Sequence, residues 1–502
     1  MKTSDLQNKK IAILGLGIEG IALANYFDSE GIIYSLLDLA TSEKLLSRAE
    51  DDGQKELVDL LQKVSSERKI FGEDYLNNLK EFDVIFRSPG IPYLHQKIQE
   101  ARESGATISS QIKFFFDLCP APIIGVTGTK GKGTTASLIQ AILHKAFQET
   151  RNKRQDTNKL QTTNHKNVYL AGNIGTPAIT LLKDIGPEDW VILELSSFQL
   201  QDLEKSPHIA TVLNISIDHL DYHEDEAEYH EAKQSIVKYQ TASDFAIINQ
   251  DYLTSFEFAA LTDAQKYYFS QKNSVEEGAY VRLKIKDERL KIEDDRLKIK
   301  EVVLRYKGEE TVICRSDEIA LVGEHNLANI AAAAITARIV GVDLKTISEV
   351  SKSFKGLPHR IEFVKEIGGV KFYNDSFATN PDPTMAAIDS FVAPKIIILG
   401  GSSKGADFSE LADKISISNV KACVLIGSEA KKLEEALRSS KFKGVILNND
   451  SNNIDEIVRE SMKFAKSGDI IILSPACASF GMFKNYKDRG CKFRESVERL
   501  NV

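Results

Sequence analysis

Pro122-Ile123-Ile124-Gly125-Val126-Thr127-Gly128-Thr129-Lys130-Gly131-Lys132-Gly133-Thr134-Thr135-Ala136-Ser137 is the stretch on which the fold turns. Its β-branched apolar run predicts a buried strand, the glycines break it, and Ser137-Leu138-Ile139-Gln140-Ala141-Ile142-Leu143 resumes with helical periodicity. Strand, glycine loop and helix form a phosphate-binding arrangement, in which loop amides, a helix N-terminus and a lysine converge on a polyphosphate. The spacing is shorter than the common G-x-x-x-x-G-K-[ST] form: Val126 falls on its first glycine and Gly133 on its hydroxyl, so Thr134 becomes the nearest metal-facing hydroxyl. An ordinary glycine-rich strand-to-helix turn is the alternative reading.

Composition bounds the rest. The 502 residues exceed a single core, and about 100–200 residues per domain predicts roughly three domains. An apolar content of 42% and a charged content of 27% belong to a soluble globular protein. The net charge of −8, with no basic block interleaved with aromatics, gives no nucleic-acid surface. Cys119, Cys314, Cys423, Cys477 and Cys491 show no metal spacing and fit a reducing cytosol. Glu19 interrupts the only N-terminal run that could pass for a signal peptide, and no apolar segment reaches the roughly 18 residues a membrane span needs. A cytoplasmic protein without membrane or nucleic-acid partners is expected, and a monomer.

Upstream of the central loop, Ile11-Ala12-Ile13-Leu14 predicts a strand, followed by Gly15-x-Gly17-x-x-Gly20, the helix Ile21 to Phe27, and Asp38 after the run Tyr34 to Leu37. Such a βαβ unit binds NAD, binds another nucleotide, or is a structural turn only. Asp83 to Phe86 leads into Arg87-Ser88-Pro89-Gly90-Ile91-Pro92 at the same predicted sheet edge. Downstream, Phe147 to Asn167 is polar and predicts an exposed insertion or linker. Trp190 to Glu194 is a strand ending in an acid, the place where a nucleotide site sets a Mg²⁺ ligand. A strand over Thr211 to Ser216 precedes Asp218-His219-Leu220-Asp221-Tyr222-His223, and Lys233 lies in a helical stretch, Glu224 to Tyr239. Zinc is not expected, because no second His or Cys has tetrahedral-site spacing.

An Arg-Leu-Lys-Ile repeat at 282–285, 289–292 and 296–299 predicts short strands joined by charged turns. Leu321 to Asn329 opens an Ala-rich helix, and Gly356 to Arg360 marks a domain boundary. Beyond it, strands at Val370–Tyr373, Lys395–Leu399, Ala422–Ile426 and Ile470–Leu473 end in polar loops and predict a doubly wound domain. The fold expected is α/β in three domains: an N-terminal Rossmann-like domain (1–118), a central P-loop ATPase-like parallel sheet (119–356) and a C-terminal Rossmann-like domain (357–502).

In this order, Gly15-x-Gly17-x-x-Gly20, Ser88 to Ile91, Gly128-Thr-x-Gly-Lys132, Gly172-Asn173-Ile174-Gly175, Glu194 to Gln199, Asp218-His219-x-Asp221, His325-Asn326, Gly356 to Arg360, Asp375 to Asn380 and Ser474 to Ser479 resemble the Mur ligase family. Asp375-Ser376-x-Ala378-Thr379-Asn380 and Ser474-Pro475-Ala476-Cys477-Ala478-Ser479 look like its D-glutamate-adding branch. The resemblance implies an ADP-forming amide ligase using ATP and Mg²⁺, joining D-glutamate to UDP-N-acetylmuramoyl-L-alanine through an acyl phosphate, for peptidoglycan synthesis. It implies that Gly128, Thr129, Lys130, Gly131, Lys132, Gly133, Thr134, Thr135, Asn329, Arg360 and Asp375 bind ATP, with the third domain brought over the second. Thr134, Glu194, His219 and a carbamylated Lys233 would hold Mg²⁺, and Lys132, Glu194, His219 and Lys233 would carry the catalysis.

On the same resemblance, Gly17, Ile18, Glu19, Asp38 and Ser88 would meet the uridine diphosphate, reassigning the first glycine turn away from NAD. Asn173, Ser197 and Gln199 would face the muramoyl-alanine end; Thr379, Lys404, Ser479, Phe480 and Tyr486 would take D-glutamate, Lys404 pairing a carboxylate. The chain departs from that branch at Gly133, at Phe377 where a lysine is common, and at Phe480 where a leucine is common. The loop Lys130 to Thr134 alone resembles folylpolyglutamate synthase, of the same superfamily, and Gly15 to Asp38 alone would suit an NAD-dependent oxidoreductase.

Overall fold

The computed structural model describes residues 1–51, 54–155, 166–173, 175–216, 222–285, 298–403, 405–451 and 453–500. The chain divides into two compact units, Met1–Glu318 with Leu327–Lys352, and Ile319–Asn326 with Ser353–Val502.

The first unit carries two sheets. Strands β1 (Ile11–Leu14), β2 (Ser35–Asp38), β3 (Lys69–Phe71), β4 (Val84–Arg87) and β5 (Thr107–Ser109) pair in parallel in the order β3-β2-β1-β4-β5. Helix α1 (Ile18–Ser29) follows β1. All four residues of β1 are buried because both faces of this sheet are covered: Ile11 and Ile13 join one core, Ala12 and Leu14 the other. The strand order reverses between β1 and β4, and there the glycine turn and the Ser88 loop stand side by side.

The second sheet holds nine strands: β6 (Ile123–Thr127), β7 (Val168–Gly172), β8 (Trp190–Glu194), β9 (Ile209–Val212), β10 (Phe245–Asn249), β11 (Gln265–Ser270), β12 (Gly278–Ile285), β13 (Lys298–Tyr306) and β14 (Glu309–Arg315), ordered β14-β13-β12-β11-β10-β9-β6-β8-β7. From β7 to β12 pairing is parallel; β12, β13 and β14 then add an antiparallel end. The first copy of the repeat ends β12, and Lys298 and Ile299 of the third begin β13, paired antiparallel. The second copy and both charged turns lie outside the described residues. Helices α2 (Lys132–Gln155), α3 (Ser197–Leu200), α4 (Glu226–Lys238) and α5 (His325–Val340) accompany this sheet. Helix α2 continues into the segment expected as a linker. From Phe147 to Gln155 that segment holds no Gly or Pro, so a nucleated helix propagates through it. The strand expected to reach Ser216 stops at Val212. Ile179 and Leu182 of the central sequence pack into the core of the first sheet, fusing the two sheets into one unit.

In the second unit, β15 (Glu362–Ile367), β16 (Val370–Asn374), β17 (Lys395–Gly400), β18 (Val420–Ile426), β19 (Val445–Asn448) and β20 (Ile470–Leu473) form the order β15-β16-β20-β17-β18-β19. Only β15 runs antiparallel. Ile397 and Leu399 face one core and Ile396 and Ile398 the other, so this sheet too is buried on both sides. Helix α6 (Tyr486–Arg499) closes the chain. Among the described residues no helix is long and apolar enough to cross a membrane.

Candidate functional site

The central loop links the buried β6 to the first turn of α2. Gly128 (φ 148°) and Gly131 (φ 88°) take backbone conformations that favour glycine, and a Cβ on Gly131 would stand 2.4 Å from Asn329 Oδ1. The Lys132 ammonium folds over the loop, donating to Gly128 O at 2.9 Å and Thr129 O at 3.1 Å. Those carbonyls hold it where phosphate oxygens could replace them. The first turn of α2 contains no acid, so the positive end of the helix and this cation lie at the same loop. Thr135 Oγ1 is committed to Asn329 Oδ1 (3.3 Å) and is fully buried, whereas Thr134 keeps some exposure. Lys130 and Gly133 lie on the same loop and turn.

Strand register sets an acid beside the loop. Glu194, the last residue of β8, pairs with Val126 of β6, two residues before Gly128. Gly172 (φ 103°) packs against it so closely that a Cβ would meet Glu194 O at 2.2 Å, and Asn173 N donates to that same oxygen. Behind the loop, Thr129 Oγ1 lies 3.0 Å from the Tyr229 hydroxyl on α4, whose ring has the buried Lys233 ammonium 4.8 Å from its centroid. Thr134, Glu194 and Lys233 thus share the region around one loop; His219 lies outside the described residues. A hydroxyl and a carboxylate beside a phosphate cradle are the hard oxygen donors that Mg²⁺ takes.

At the N-terminal turn, Gly15 (φ 93°) and Gly20 pack tightly, and a Cβ on Gly20 would reach Gly15 O at 2.1 Å. Ser88 Oγ donates to Gly15 O (2.7 Å) and Asp38 accepts from Leu16 N (2.7 Å) and Ala40 N (2.9 Å). Gly17 is open on its free face and Ile18 is exposed. Gln199 Nε2 donates to Glu19 Oε1 at 2.6 Å, joining this turn to α3. Burial pushes the Glu19 carboxyl up to about 7 against the pull of Gln199 and Arg87. Ser196 caps α3, with Gln199 returning a bond to its amide, while Ser197 Oγ turns inward, 2.9 Å from His223 Nε2.

The second unit gathers its own group. Asp375, after β16, accepts from Ile361 N (3.1 Å) and Ser474 Oγ (2.7 Å), and burial raises its carboxyl to about 7. His359, Ile361 and Ala476 hold positive φ (64°, 46° and 58°), strain concentrated next to Arg360 and in the Ser474 loop. The Arg360 guanidinium lies 5.8 Å from the centroid of the half-exposed Phe377 ring, which meets Tyr486 edge-on at 5.3 Å. Thr379 is half-buried, Ser479 buried and Phe480 exposed; Lys404 lies outside the described residues.

Sequence reasoning passed over three residues. Arg87, fully buried, donates to Ile91 O (2.7 Å), Tyr222 Oη (2.9 Å) and Phe198 O (3.0 Å) and faces Asp202 at 3.5 Å, tying the Ser88 loop to α3. His223 bridges Ser197 and Glu228. Arg489 donates to Ser376 Oγ and O (both 2.9 Å) and to Cys477 O (3.1 Å), joining two of the loops that end the third sheet's strands. Its signal was available: Arg489 sits on the buried stripe of α6 with Phe493 and Val497, a charge at an apolar position.

Residues 9–110 match a family described as Mur ligase MurD-like, N-terminal domain, residues 126–337 the Mur ligase middle domain, and residues 359–477 the Mur ligase glutamate ligase domain. The chain is 38% identical to a UDP-N-acetylmuramoylalanine--D-glutamate ligase of Acetivibrio thermocellus, over 99% of this chain and 98% of that one. It is also 38% identical to the protein of the same name from Symbiobacterium thermophilum, over 98% of each. In fold it is similar to the UDP-N-acetylmuramate-alanine ligase of Thermotoga maritima, with a TM-score of 0.54, 16% identity and coverage of 98% and 99%.

Proposed function

This chain belongs to the Mur ligase family, and from that premise we propose that it is the ATP-dependent, ADP-forming ligase that adds D-glutamate to UDP-N-acetylmuramoyl-L-alanine in cytoplasmic peptidoglycan precursor synthesis. A carboxylate is a poor acylating agent. Transfer of the γ-phosphoryl group of ATP to the alanyl carboxylate gives an acyl phosphate and ADP. The D-glutamate amine, deprotonated, attacks the carbonyl carbon, and the tetrahedral intermediate collapses with loss of phosphate. Positioning and charge neutralisation supply most of the rate in such a transfer.

The observation that carries this reading is the juxtaposition in one unit of the Lys132 cation, the helix N-terminus and Glu194, fixed by the pairing of Val126 with Glu194. Lys132 and the loop amides bind the β- and γ-phosphates, and Asn329 braces the loop through Gly131 and Thr135. Thr134 and Glu194 would hold Mg²⁺, with His219 and a carbamylated Lys233 serving a second ion; bound there, Mg²⁺ neutralises charge on the phosphates. Gly17, Ile18, Glu19, Asp38 and Ser88 line the uridine diphosphate side, and Asn173, Ser197 and Gln199 the end of the substrate that reacts. In the second unit, Arg360 and Asp375 serve the nucleotide, while Thr379, Lys404, Ser479, Phe480 and Tyr486 take the amino acid.

The test is phosphate release with ATP, Mg²⁺ and UDP-N-acetylmuramoyl-L-alanine, offering D-glutamate, L-glutamate and other amino acids singly. Release dependent on D-glutamate is expected. Release with none of them would overturn the ligase reading, and release with L-glutamate alone would move the substrate.

A further inference from the structure

The imidazole of His223 does more than fill a core. Its Nδ1 lies 2.5 Å from Glu228 Oε2 and its Nε2 2.9 Å from Ser197 Oγ, with the side chain wholly shut off from solvent. The carboxylate fixes the proton on Nδ1, so in the neutral ring Nε2 accepts from the Ser197 hydroxyl. Phe198 stacks on the ring (5.4 Å between centroids, 14° between planes) and Tyr229 meets it edge-on at 5.2 Å. The ring therefore has one orientation.

What it joins is telling. Ser197 begins α3, three residues after Glu194 at the end of β8, and Glu228 stands in the first turn of α4, five residues before Lys233. Tyr229, next to Glu228, carries the contact to Thr129 in the phosphate loop. We propose that His223 is a positioning residue for the cation site: bridging Ser197 and Glu228, it holds the β8–α3 corner that carries Glu194 at a fixed distance from the helix that carries Lys233. This rests on the reading of Glu194 and Lys233 as the Mg²⁺ side of the site. Buried partners one shell removed from metal-holding groups commonly govern affinity by about 10- to 100-fold when lost.

Mn²⁺, which is visible by electron paramagnetic resonance, replaces Mg²⁺ in the test. The free ion is titrated against the full chain with a non-hydrolysable ATP analogue, alongside thermal melting. Glu194→Ala should remove most Mn²⁺ binding; unchanged binding there would mean that the metal side itself is misplaced. With that arm positive, His223→Phe, which keeps the stacking and loses both hydrogen bonds, should weaken Mn²⁺ about tenfold, and His223→Gln, which can still meet Ser197, should recover part of it. Ser197→Ala should weaken Mn²⁺ as well and add little to His223→Phe, because the two act through one bond. Mn²⁺ affinity unchanged in folded His223→Phe, or in Ser197→Ala if His223→Phe fails to fold, would overturn the proposal, as would a full additive loss in the double variant.

Discussion

The glycine turn from Gly15 to Gly20 and that from Gly128 to Gly133 are built alike. Each follows a short, fully buried parallel strand, bends through a left-handed glycine and opens a helix. Their charges differ. The central turn has Lys132 over its carbonyls and no acid in the first turn of its helix; the N-terminal turn has Glu19 in that first turn and Asp38 already holding the Leu16 amide. On the proposed function, one backbone device would serve two purposes: a cation-bearing turn suits a polyphosphate whose charge must be neutralised for transfer, and an acid-bearing turn suits a ligand that is only held.

The sharpest way to break this distinction is Lys132→Ala. Turnover in the phosphate-release assay should fall by on the order of 10³, because a donor aimed at developing charge is lost. A rate within about tenfold of the parent would mean that the central turn, like the N-terminal one, works without its cation. Next in size is Gly20→Ala, whose methyl group would lie 2.1 Å from the Gly15 carbonyl oxygen, a backbone atom that cannot step aside. A loss of about 3 kcal/mol in urea unfolding is expected. Gly17→Ala, with nothing within 4 Å, should leave unfolding unchanged and raise the KM for the uridine substrate alone. Equal unfolding curves for both would show that the tight packing is not what shapes this turn.

Thr134→Val comes third. It should lower kcat/KM for ATP about 10²-fold, while Thr135→Val, which breaks only the buried bond to Asn329, should cost about 1 kcal/mol of stability and leave ATP use less affected. Reversal of that order would move the hydroxyl duty to Thr135, one residue further from Lys132 than Thr134.

Both turns were legible in the sequence because each is local: glycine spacing, a flanking apolar run and the lysine lie within some fifteen residues. Glu194 was legible for the same reason, as an acid ending an apolar strand. What joins the turns to their surroundings was not. Arg87 reaches Phe198 and Tyr222 across more than a hundred residues of chain, and His223 makes sense only once Ser197 and Glu228 flank it. Nothing local separates such residues from a charged strand end or a polar loop. The antiparallel end of the second sheet escaped for a related reason: the repeat marks strands, but direction is set by pairing.

The smallest effect isolates the acid of the N-terminal turn. Glu19 keeps its proton to about pH 7 in the folded chain, against 4.5 for a free side chain, and its Oε2 has no hydrogen bond among the described residues. Between those two values the unfolded chain releases a proton that the folded chain retains, so folding stability declines as pH rises through the window, by about 1.4 kcal/mol per unit at most. Glu19→Gln keeps an oxygen for Gln199 and removes the charge. Parent and variant should unfold alike near pH 4, and by pH 8 the variant should be more stable by on the order of 2 kcal/mol. Parallel stability curves would mean that the carboxyl is solvated in the folded chain and that the N-terminal turn bears no electrostatic burden. Divergence above pH 5 would mean that this turn tolerates a buried acid at a helix N-terminus, where the central turn, built around Lys132, has none.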